Sequence, residues 1–418
     1  MPKERIVAGI DIGSTKICIA VSSVSDNKIS VIGVSGAVPS KGINKGNVVD
    51  IDGAVESIAN SLERAERMAG ISVSSAFVTV NGSHIDTTNS HGVVAVSPGQ
   101  SSEISREDVS RVIEAAQAIS LPSTREVIHV IPRDFIVDAQ EGIKDPVGMS
   151  GVRLEVETNI IHSSATAMRN LVKCVDQVGV HVEGLVFTGV AAAEAVLTDT
   201  EKELGTLLVD IGGGTTSMIA FLEGSPVFSA VLPIGGKLIT SDLAIGLRTR
   251  LEDAESIKIK LSEEKAAQKY SADIRGADML DVSEFGLEND SISKNLLYKI
   301  IDARLEEVFR LISLEVAKAN LSGKLPAGVV LTGGGALTAG AERVVKSVLK
   351  TPVRVGVPKG VTGLIDEIQG PASSGCVGAL LYGVGLHRSG TLLSFDDGRG
   401  KINMNLGKFI EKFKSFLP

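Results

Sequence analysis

Residues 11–16, with the sequence Asp-Ile-Gly-Ser-Thr-Lys, are of types that can bind a phosphate together with a divalent metal ion. The carboxylate of Asp11 ends an apolar run typical of a buried strand, and the small residues after it leave backbone N–H groups free to face an anion. A single Asp-x-Gly turn is also common in ordinary hairpins, so this copy alone leaves both interpretations open. The candidate nucleotide-binding residues here are Asp11, Gly13, Ser14, Thr15 and Lys16.

A second turn of the same kind begins at Asp210, after the apolar residues 207–209 in the middle of the chain. Two matching turns at the centres of two lobes would face each other and clamp a triphosphate between them. Because Mg²⁺ takes only one or two carboxylates besides phosphate oxygens and water, Asp11 and Asp210 are the predicted metal ligands, through water. The candidate residues in this turn are Asp210, Gly212, Gly213, Gly214, Thr215 and Thr216.

A third glycine cluster follows the predicted strand at 329–332, which begins with three apolar residues, and precedes a predicted helix at Ala341–Leu349. A flat base could lie against backbone that carries no side chains, although a plain strand-to-helix turn is the alternative. Neither a P-loop nor a Gly-x-Gly-x-x-Gly fingerprint after the first strand is present in the sequence, which argues against both of those phosphate sites. The candidates here are Gly333, Gly334, Gly335 and Leu337.

The elements around these turns predict a duplicated α/β protein. Residues 6–34 form a strand, turn, strand, turn, strand pattern, and the same opening recurs at residue 207. Helical patterns at Ile51–Ala69 and 161–178 alternate with strands, which indicates layered α/β architecture.

Residues 84–161 differ from this pattern and predict a small inserted α+β subdomain. It contains a predicted helix at 106–119 and predicted strands at 126–130 and 134–137. Farther along, the charged residues 258–290 suggest mobile surface structure, and a long amphipathic helix is predicted at 293–320.

Composition limits the function classes. A chain of 418 residues with 43% hydrophobic residues is long and apolar enough for two lobes, and its net charge of −8 argues against general nucleic-acid binding. Three distant cysteines fit neither a disulfide framework nor a zinc site, and residues 1–5 lack the apolar core of a signal peptide. A cytoplasmic location is therefore predicted.

The order of the two phosphate turns and the glycine cluster resembles the superfamily of actin, the sugar kinases and the heat-shock chaperone ATPases. Within it, the chain resembles the bacterial division protein family FtsA over nearly its whole length, most specifically in residues 125–133, 142–149 and 153–156 of the insertion. The resemblance implies an actin-like, two-lobed, duplicated fold with a nucleotide cleft. It also implies ATP and Mg²⁺ as ligands and at most weak ATPase activity.

The resemblance assigns further residues to this cleft. Gly235 and Gly236 correspond to a glycine turn beside the phosphates, and Glu255 and Lys258 to the pair that holds ribose and adenine, with an exposed i,i+3 ion pair as the alternative. Glu194 follows three alanines in the helix that connects the lobes and is assigned to ordering a water near the terminal phosphate. A surface role for that acid is the alternative.

The core of the first lobe is predicted at 1–83 with 162–195 and 360–387, and the insertion at 84–161. The core of the second lobe is predicted at 196–228 and 309–359, and its outer subdomain at 229–308. A flexible linker is predicted at 388–407, followed by a C-terminal amphipathic helix at 408–418.

The C-terminal segment has the pattern of a helix that lies in a membrane surface. Its apolar residues recur at i, i+1, i+4, i+7 and i+8 on one face, with lysines off that face. Docking of this helix on its own protein is the alternative, but the linker before it favours the membrane. The candidate membrane residues are Phe409, Ile410, Phe413, Phe416 and Leu417, with Lys408, Lys412 and Lys414.

The resemblance implies that the protein self-associates and tethers the tubulin-like protein FtsZ to the anionic inner membrane at the division site, where other division proteins are recruited. The C-terminal peptide of FtsZ is expected to bind within 229–308, with Arg304 and Lys299 as basic candidates or as solvated surface. The rival hypotheses are a sugar-kinase-like or acetate-kinase-like phosphotransferase and a pilus-assembly ATP-binding relative of the same fold.

Overall fold

The computed structural model describes residues 5–25, 28–96, 103–268, 279–285, 290–389, 393–394 and 403–404. The predicted linker at 388–407 falls mostly outside these ranges, and the predicted helix at 408–418 wholly outside them. Among the helices in the part of the chain that the structure describes, none is both long and apolar enough to cross a bilayer.

Ten α-helices occur in the described ranges, and short 3₁₀ turns lie at Ser283–Phe285, Gly334–Leu337 and Pro371–Ser373. The helices are α1 (Ile51–Ala69), α2 (Arg106–Gln117), α3 (Ala165–Asp176), α4 (Thr188–Val196), α5 (Asp199–Leu204), α6 (Gly236–Leu247), α7 (Leu251–Gln268), α8 (Lys294–Lys318), α9 (Ala341–Leu349) and α10 (Ser374–Ser389).

The strands are β1 (Arg5–Ile12), β2 (Lys16–Ser25), β3 (Lys28–Val34), β4 (Val38–Pro39), β5 (Ile43–Asn44), β6 (Asn47–Val48), β7 (Ser75–Val80), β8 (Asp86–Ala95), β9 (Arg125–Val137), β10 (Gln140–Ile143), β11 (Arg153–Ser164), β12 (His181–Phe187), β13 (Thr206–Ile211), β14 (Thr216–Leu222), β15 (Ser225–Leu232), β16 (Met279–Asp281), β17 (Ser291–Ser293), β18 (Gly328–Thr332), β19 (Val353–Val355), β20 (Thr362–Gly363), β21 (Leu393–Ser394) and β22 (Asn403–Met404).

The first lobe is built on a mixed sheet of order β12-β7-β1-β2-β3-β20. Strands β1, β2 and β3 pair antiparallel in chain order, whereas β1, β7 and β12 run parallel. The central strands are apolar on both faces because helices cover the sheet on both sides, as in other α/β layers. All three cysteines are buried free thiols, in agreement with the absence of a predicted disulfide.

The second lobe repeats this arrangement. Its sheet has the order β15-β14-β13-β18-β19, with β13, β14 and β15 antiparallel in chain order and β13, β18 and β19 parallel. Strand β13 therefore takes the place of β1, and β18 the place of β7. The predicted two-lobed, duplicated α/β fold is confirmed.

The insertion forms a separate four-stranded sheet of order β10-β9-β11-β8 that packs against α2. The sequence predicted two strands on either side of Pro132, but β9 is one continuous strand. Its register with β11 shifts by one residue at Arg133, between the pairs Thr158–Pro132 and Glu157–Asp134. Strand β10 pairs only with the part of β9 that follows Pro132. The missing N–H of the proline therefore costs no hydrogen bond between β9 and β10.

Two helix boundaries also differ from the sequence pattern. The helix predicted at 161–178 begins at Ala165, because 161–164 complete β11 and Ser164 caps α3 by accepting a hydrogen bond from Ala167 N–H. The charged residues 258–268 belong to the long helix α7, whose inner side buries Ala254, Ile257 and Leu261. The prediction of mobile structure was wrong for that part of the segment.

Helices α4 and α10 lie between the two sheets. Almost every residue of α4 is buried, and α10 packs on both α4 and β1. The helices approach so closely that a Cβ on Gly378 would collide with the carbonyl oxygen of Ala191. This contact between small residues places the first turn of α10 at the base of the cleft between the lobes.

Candidate functional site

A cavity of about 470 Å³ lies between the lobes, where the two Asp-Gly turns and the third glycine cluster meet. These predicted nucleotide-binding residues line it: Asp11, Gly13, Ser14, Thr15, Lys16, Asp210, Gly212, Gly213, Thr215, Gly236, Glu255, Lys258, Gly333, Gly334, Gly335 and Leu337. The structure thus brings together residues from both halves of the duplicated fold.

The two turns touch across the cleft. A Cβ on Gly213 would collide with Thr15 Oγ1, and one on Gly214 would lie 2.9 Å from Ser14 Oγ. Each turn is closed in the same way, by Gly13 N–H donating to Lys16 O at 3.0 Å and by Gly212 N–H donating to Thr215 O at 2.9 Å. The facing pair expected from the sequence is therefore present.

Asp11 and Asp210 are the next-to-last residues of the equivalent strands β1 and β13, and both line the cavity. Burial raises the pKa of both carboxyls, and the charge of Asp11 helps to raise the pKa of Asp210 to about 7. Two mutually repelling, desolvated carboxyls are a suitable set of oxygen donors for a hard cation such as Mg²⁺. The hydroxyl of Thr79, which donates to Asp11 Oδ1 at 2.6 Å, and Lys16 both favour the charged form of Asp11.

Glycines shape the space beside both carboxyls. Gly333 has φ +79°, and a Cβ there would collide with Asp210 Oδ1, while a Cβ on Gly375 would lie 2.6 Å from Asp11 Cγ. Side chains at these positions would fill the space in which a metal ion and phosphate oxygens can reach the carboxylates. The residues present therefore fit Mg²⁺ with a nucleotide.

Glu255 and Lys258 lie together on the wall of the cleft. Lys258 Nζ donates to Glu255 Oε2 at 2.7 Å and to Thr240 Oγ1 at 2.9 Å, and Thr240 Oγ1 donates to the same carboxylate. This network fixes α7 against α6. Because Glu255 still has 41% of its side chain exposed, its carboxylate is accessible from the cavity.

Four of the predicted cleft residues do not line the cavity. Thr216 Oγ1 donates to Ile234 O at 2.9 Å, and Gly235 packs against the backbone of the second turn, so both support that turn from behind. Gly214 lies in the contact between the turns. Glu194 Oε1 is buried without a hydrogen-bond partner among the described residues. Burial, and after it the charge of Glu194, raises the pKa of Tyr382.

The structure adds cleft residues that the sequence did not reveal. Asn81 follows β7 and reaches across to the second turn, where its Nδ2 donates to Thr215 Oγ1 at 3.2 Å and its Oδ1 accepts from Ser217 Oγ at 2.9 Å. Lys237 and Gly375 also line the cavity. For Lys237 a signal was available, because it directly follows the glycine turn that was assigned to the phosphates.

The two basic candidates for partner binding differ in their surroundings. Arg304 joins α8 to α6 through a two-pronged ion pair with Asp242, at 2.6 and 2.9 Å, and it also pairs with Glu307. Lys299 is exposed on α8. Arg304 therefore has an intramolecular role, whereas Lys299 faces solvent.

Comparison with known proteins agrees with this architecture. Residues 82–162 match the family model of the SHS2 domain inserted in FtsA, and residues 207–378 match that of cell division protein FtsA. A curated relative, cell division protein FtsA of Pseudomonas aeruginosa, is 37% identical over 97% of this chain and 98% of its own length.

Solved structures with the same fold include a chain of the PilM–PilN type IV pilus biogenesis complex, with a TM-score of 0.62 and 16% identity over 90% of this chain and 98% of that chain. MreB5 of Spiroplasma citri bound to ADP aligns with a TM-score of 0.51 and 13% identity over 92% of this chain and 97% of that chain. At these identities the two structures show an actin-like fold and no more. With the family models and the full-length relative, they lead to one conclusion: the chain belongs to the FtsA family of cell division proteins and carries that family's SHS2 insertion in an actin-like fold.

Proposed function

We propose that this protein binds ATP with Mg²⁺ in the cleft, self-associates, and tethers FtsZ filaments to the cytoplasmic face of the cell membrane at the division site. The observation that supports the nucleotide proposal is the pair of facing turns, with the buried Asp210 and the partly buried Asp11 lining the cavity between them. Adenine and ribose would lie beside Glu255, Lys258 and Gly334.

The residues of the cleft have separate tasks in this proposal. Asp11 and Asp210 hold Mg²⁺ directly or through water, and backbone N–H groups of the two turns face the phosphates. Bound Mg²⁺ would neutralise phosphate charge. Any hydrolysis is expected to be slow, because Glu194, the assigned water-ordering residue, is not among the residues that line the cavity.

Nucleotide binding is tested by calorimetry with ATP and Mg²⁺ on the full chain. Asp210→Asn should weaken binding by about 100-fold, because it removes one of two charged metal ligands. Asp199→Asn removes an exposed acid at the start of α5, in the same lobe and outside the cleft, and should leave the affinity unchanged. Equal affinities for the wild type and Asp210→Asn would contradict the cleft model.

For the FtsZ peptide, we propose an exposed surface on the outer part of the second lobe, formed by Ile245, Leu296 and Lys299. Ile245 has 77% and Leu296 47% of its surface exposed. A Cβ on Gly246 would lie 2.9 Å from Ile300 Cδ1, so the end of α6 adjoins the face of α8 next to Lys299. An apolar surface beside the positive charge of Lys299 suits a short peptide that carries both apolar and acidic side chains.

The membrane part rests on the amphipathic pattern at 408–418 and on membership of the family. A helix this short is only marginally stable in water, so a lipid surface that covers its apolar face would promote its folding. Self-association would multiply such weak attachments. Co-sedimentation of the full chain with anionic vesicles, with and without FtsZ filaments and ATP, tests the complete tether, and FtsZ that stays in the supernatant when the protein pellets would reject it.

A further inference from the structure

Lys237 bridges the two lobes at the phosphate turns. It lies in the first turn of α6, which belongs to the second lobe, and its Nζ donates a hydrogen bond to the carbonyl oxygen of Ser14 in the first lobe at 2.8 Å. Both residues line the cavity. A cationic side chain thus crosses the cleft at the place where the two turns meet.

This position is electrostatically unusual for a lysine. The N-terminal end of a helix carries partial positive charge, which disfavours a cation and favours an anion. The backbone N–H groups of Gly236 and Lys237 already donate to Gly212 O and Gly213 O, each at 2.9 Å, so they hold the second turn in place. The lysine side chain is therefore the group that this helix end offers to an anion in the cleft.

The other lysines of the cavity are directed elsewhere. Lys16 Nζ donates to Ala372 O, beside the start of α10. Lys258 is held by Glu255 and Thr240 on the side assigned to adenosine. Of these three cations, Lys237 is the one bonded to a phosphate turn of the opposite lobe.

We propose that Lys237 makes the protein prefer a nucleoside triphosphate over a diphosphate. Its ammonium group is bonded to the neutral carbonyl of Ser14, and a bound triphosphate would draw it to the anionic oxygens of the terminal phosphate. A charge-assisted hydrogen bond is roughly twice as strong as one to a neutral acceptor, so the transfer favours the triphosphate. A diphosphate lacks this group and leaves the bond to Ser14 in place. This inference rests on the proposed nucleotide binding in the cleft.

The test compares ATP and ADP affinities, each with Mg²⁺, by calorimetry on the full chain. Lys237→Met should weaken ATP binding by about 10- to 100-fold and ADP binding by less than about 3-fold, because only the triphosphate loses a charged contact. Lys237→Arg should keep most of the preference. Lys346→Met removes an exposed lysine from α9, in the same lobe and outside the cavity, and should behave as the wild type.

Lys237→Gln provides a second variant that keeps a hydrogen-bond donor and loses the charge, in case the methionine variant folds poorly. It should also lose the preference for ATP. If either variant weakens ATP binding and ADP binding equally, or leaves both unchanged, the inference is wrong, while the proposed nucleotide cleft stands. If the wild type binds neither nucleotide, the proposed function itself fails and the inference falls with it.

Discussion

At Gly375, the backbone of α10 lies directly against the carboxyl group of Asp11. A Cβ there would lie 2.6, 2.7 and 2.8 Å from the Asp11 carboxyl atoms, closer than real Cβ contacts occur. We predict that Gly375→Ala displaces Asp11 and weakens ATP–Mg²⁺ binding by more than about 10-fold, since a small misplacement of a charged ligand costs at least one strong contact. Calorimetry measures this change.

The control for that variant is Gly370→Ala, at a glycine with φ −76° whose added Cβ would have its nearest neighbour at 4.0 Å. It should bind nucleotide as the wild type does. Full ATP affinity in Gly375→Ala would show that Asp11 can move without loss and would argue against its role as a metal ligand.

Single residues of the cleft could be predicted where their chemistry was repeated along the chain. Asp11 and Asp210 stand in two copies of one turn, and the duplication indicated that they meet. Asn81 and Gly375 have no such signal, because a lone Asn after a strand and a Gly in a helix are common. Their positions depend on how β7 and α10 pack, which spacing along the chain does not determine.

At the scale of elements, the pair of Glu201 and Arg354 joins α5 to the edge strand β19. Glu201 also completes the capping box of α5 with Thr198. These contacts, above all the one with Arg354, lower the pKa of Glu201 from 4.5 to about 2. The folded state therefore favours the charged carboxylate, so the stabilisation is fully present above pH 4.5 and is lost as the pH falls from 4.5 towards 2.

We predict that Glu201→Gln lowers the free energy of unfolding by about 1–2 kcal/mol at pH 7, a figure that allows for solvent screening of the partly exposed pair. The difference from the wild type should shrink as the pH falls below 4.5, where the wild-type carboxylate begins to lose its advantage. Urea denaturation at several pH values measures this difference in the free energy of unfolding, and Glu203→Gln on the same helix is the control. A difference that does not change with pH would contradict the ion pair as its source.

The exposed surface of Ile245, Leu296 and Lys299 also belongs to the element scale, since α6 and α8 form it together. We predict that the double variant Leu296→Asp with Lys299→Glu weakens binding of the FtsZ C-terminal peptide by more than about 10-fold, through lost apolar burial and reversed charge. Fluorescence anisotropy with a labelled peptide measures this. Leu314→Asp is the matched control, because Leu314 has 57% of its surface exposed and lies near the other end of α8.

Element types were predictable where one periodicity extended over a whole element, as in α1 and α9. The prediction was wrong where a local signal competed with tertiary structure. Two strands were predicted at 126–130 and 134–137, but Pro132 fits within the single strand β9, because β10 leaves that side of β9 unpaired and a bulge at Arg133 absorbs the irregularity. Residues 258–268, the first third of the charged segment 258–290, fold as helix because α7 buries Ile257 and Leu261 beneath its polar face.

For the whole molecule, the insertion is in contact with both lobes. Lys144 Nζ donates to Glu223 O at 2.8 Å in the second lobe, and Phe187 N–H in the first lobe donates to His129 Nε2 at 2.9 Å. Changes in lobe separation at the cleft would therefore act on the insertion from two sides. The two residues of the insertion that make these contacts, His129 and Lys144, lie in the segments 125–133 and 142–149, where the resemblance to the family is most specific.

The proposed tether depends on the C-terminal segment 408–418, for which the membrane hypothesis and docking on the protein itself predict opposite results. We predict that the double variant Phe409→Glu with Phe413→Glu abolishes binding to anionic vesicles, since each lost phenylalanine removes about 2 kcal/mol of apolar burial and each new acid is repelled by the lipid. ATP affinity and thermal stability should stay close to those of the wild type. Vesicle co-sedimentation, calorimetry and thermal denaturation on one preparation measure all three.

The matched control adds the same charge away from the apolar face. Asn405→Glu with Ser415→Glu introduces two acids outside the set Phe409, Ile410, Phe413, Phe416 and Leu417. It should weaken vesicle binding only in part, because the apolar face is intact and electrostatic repulsion falls off with salt. If the phenylalanine variant instead unfolds more easily and still pellets with vesicles, the segment packs on its own protein. The membrane attachment would then have to come from another part of the chain.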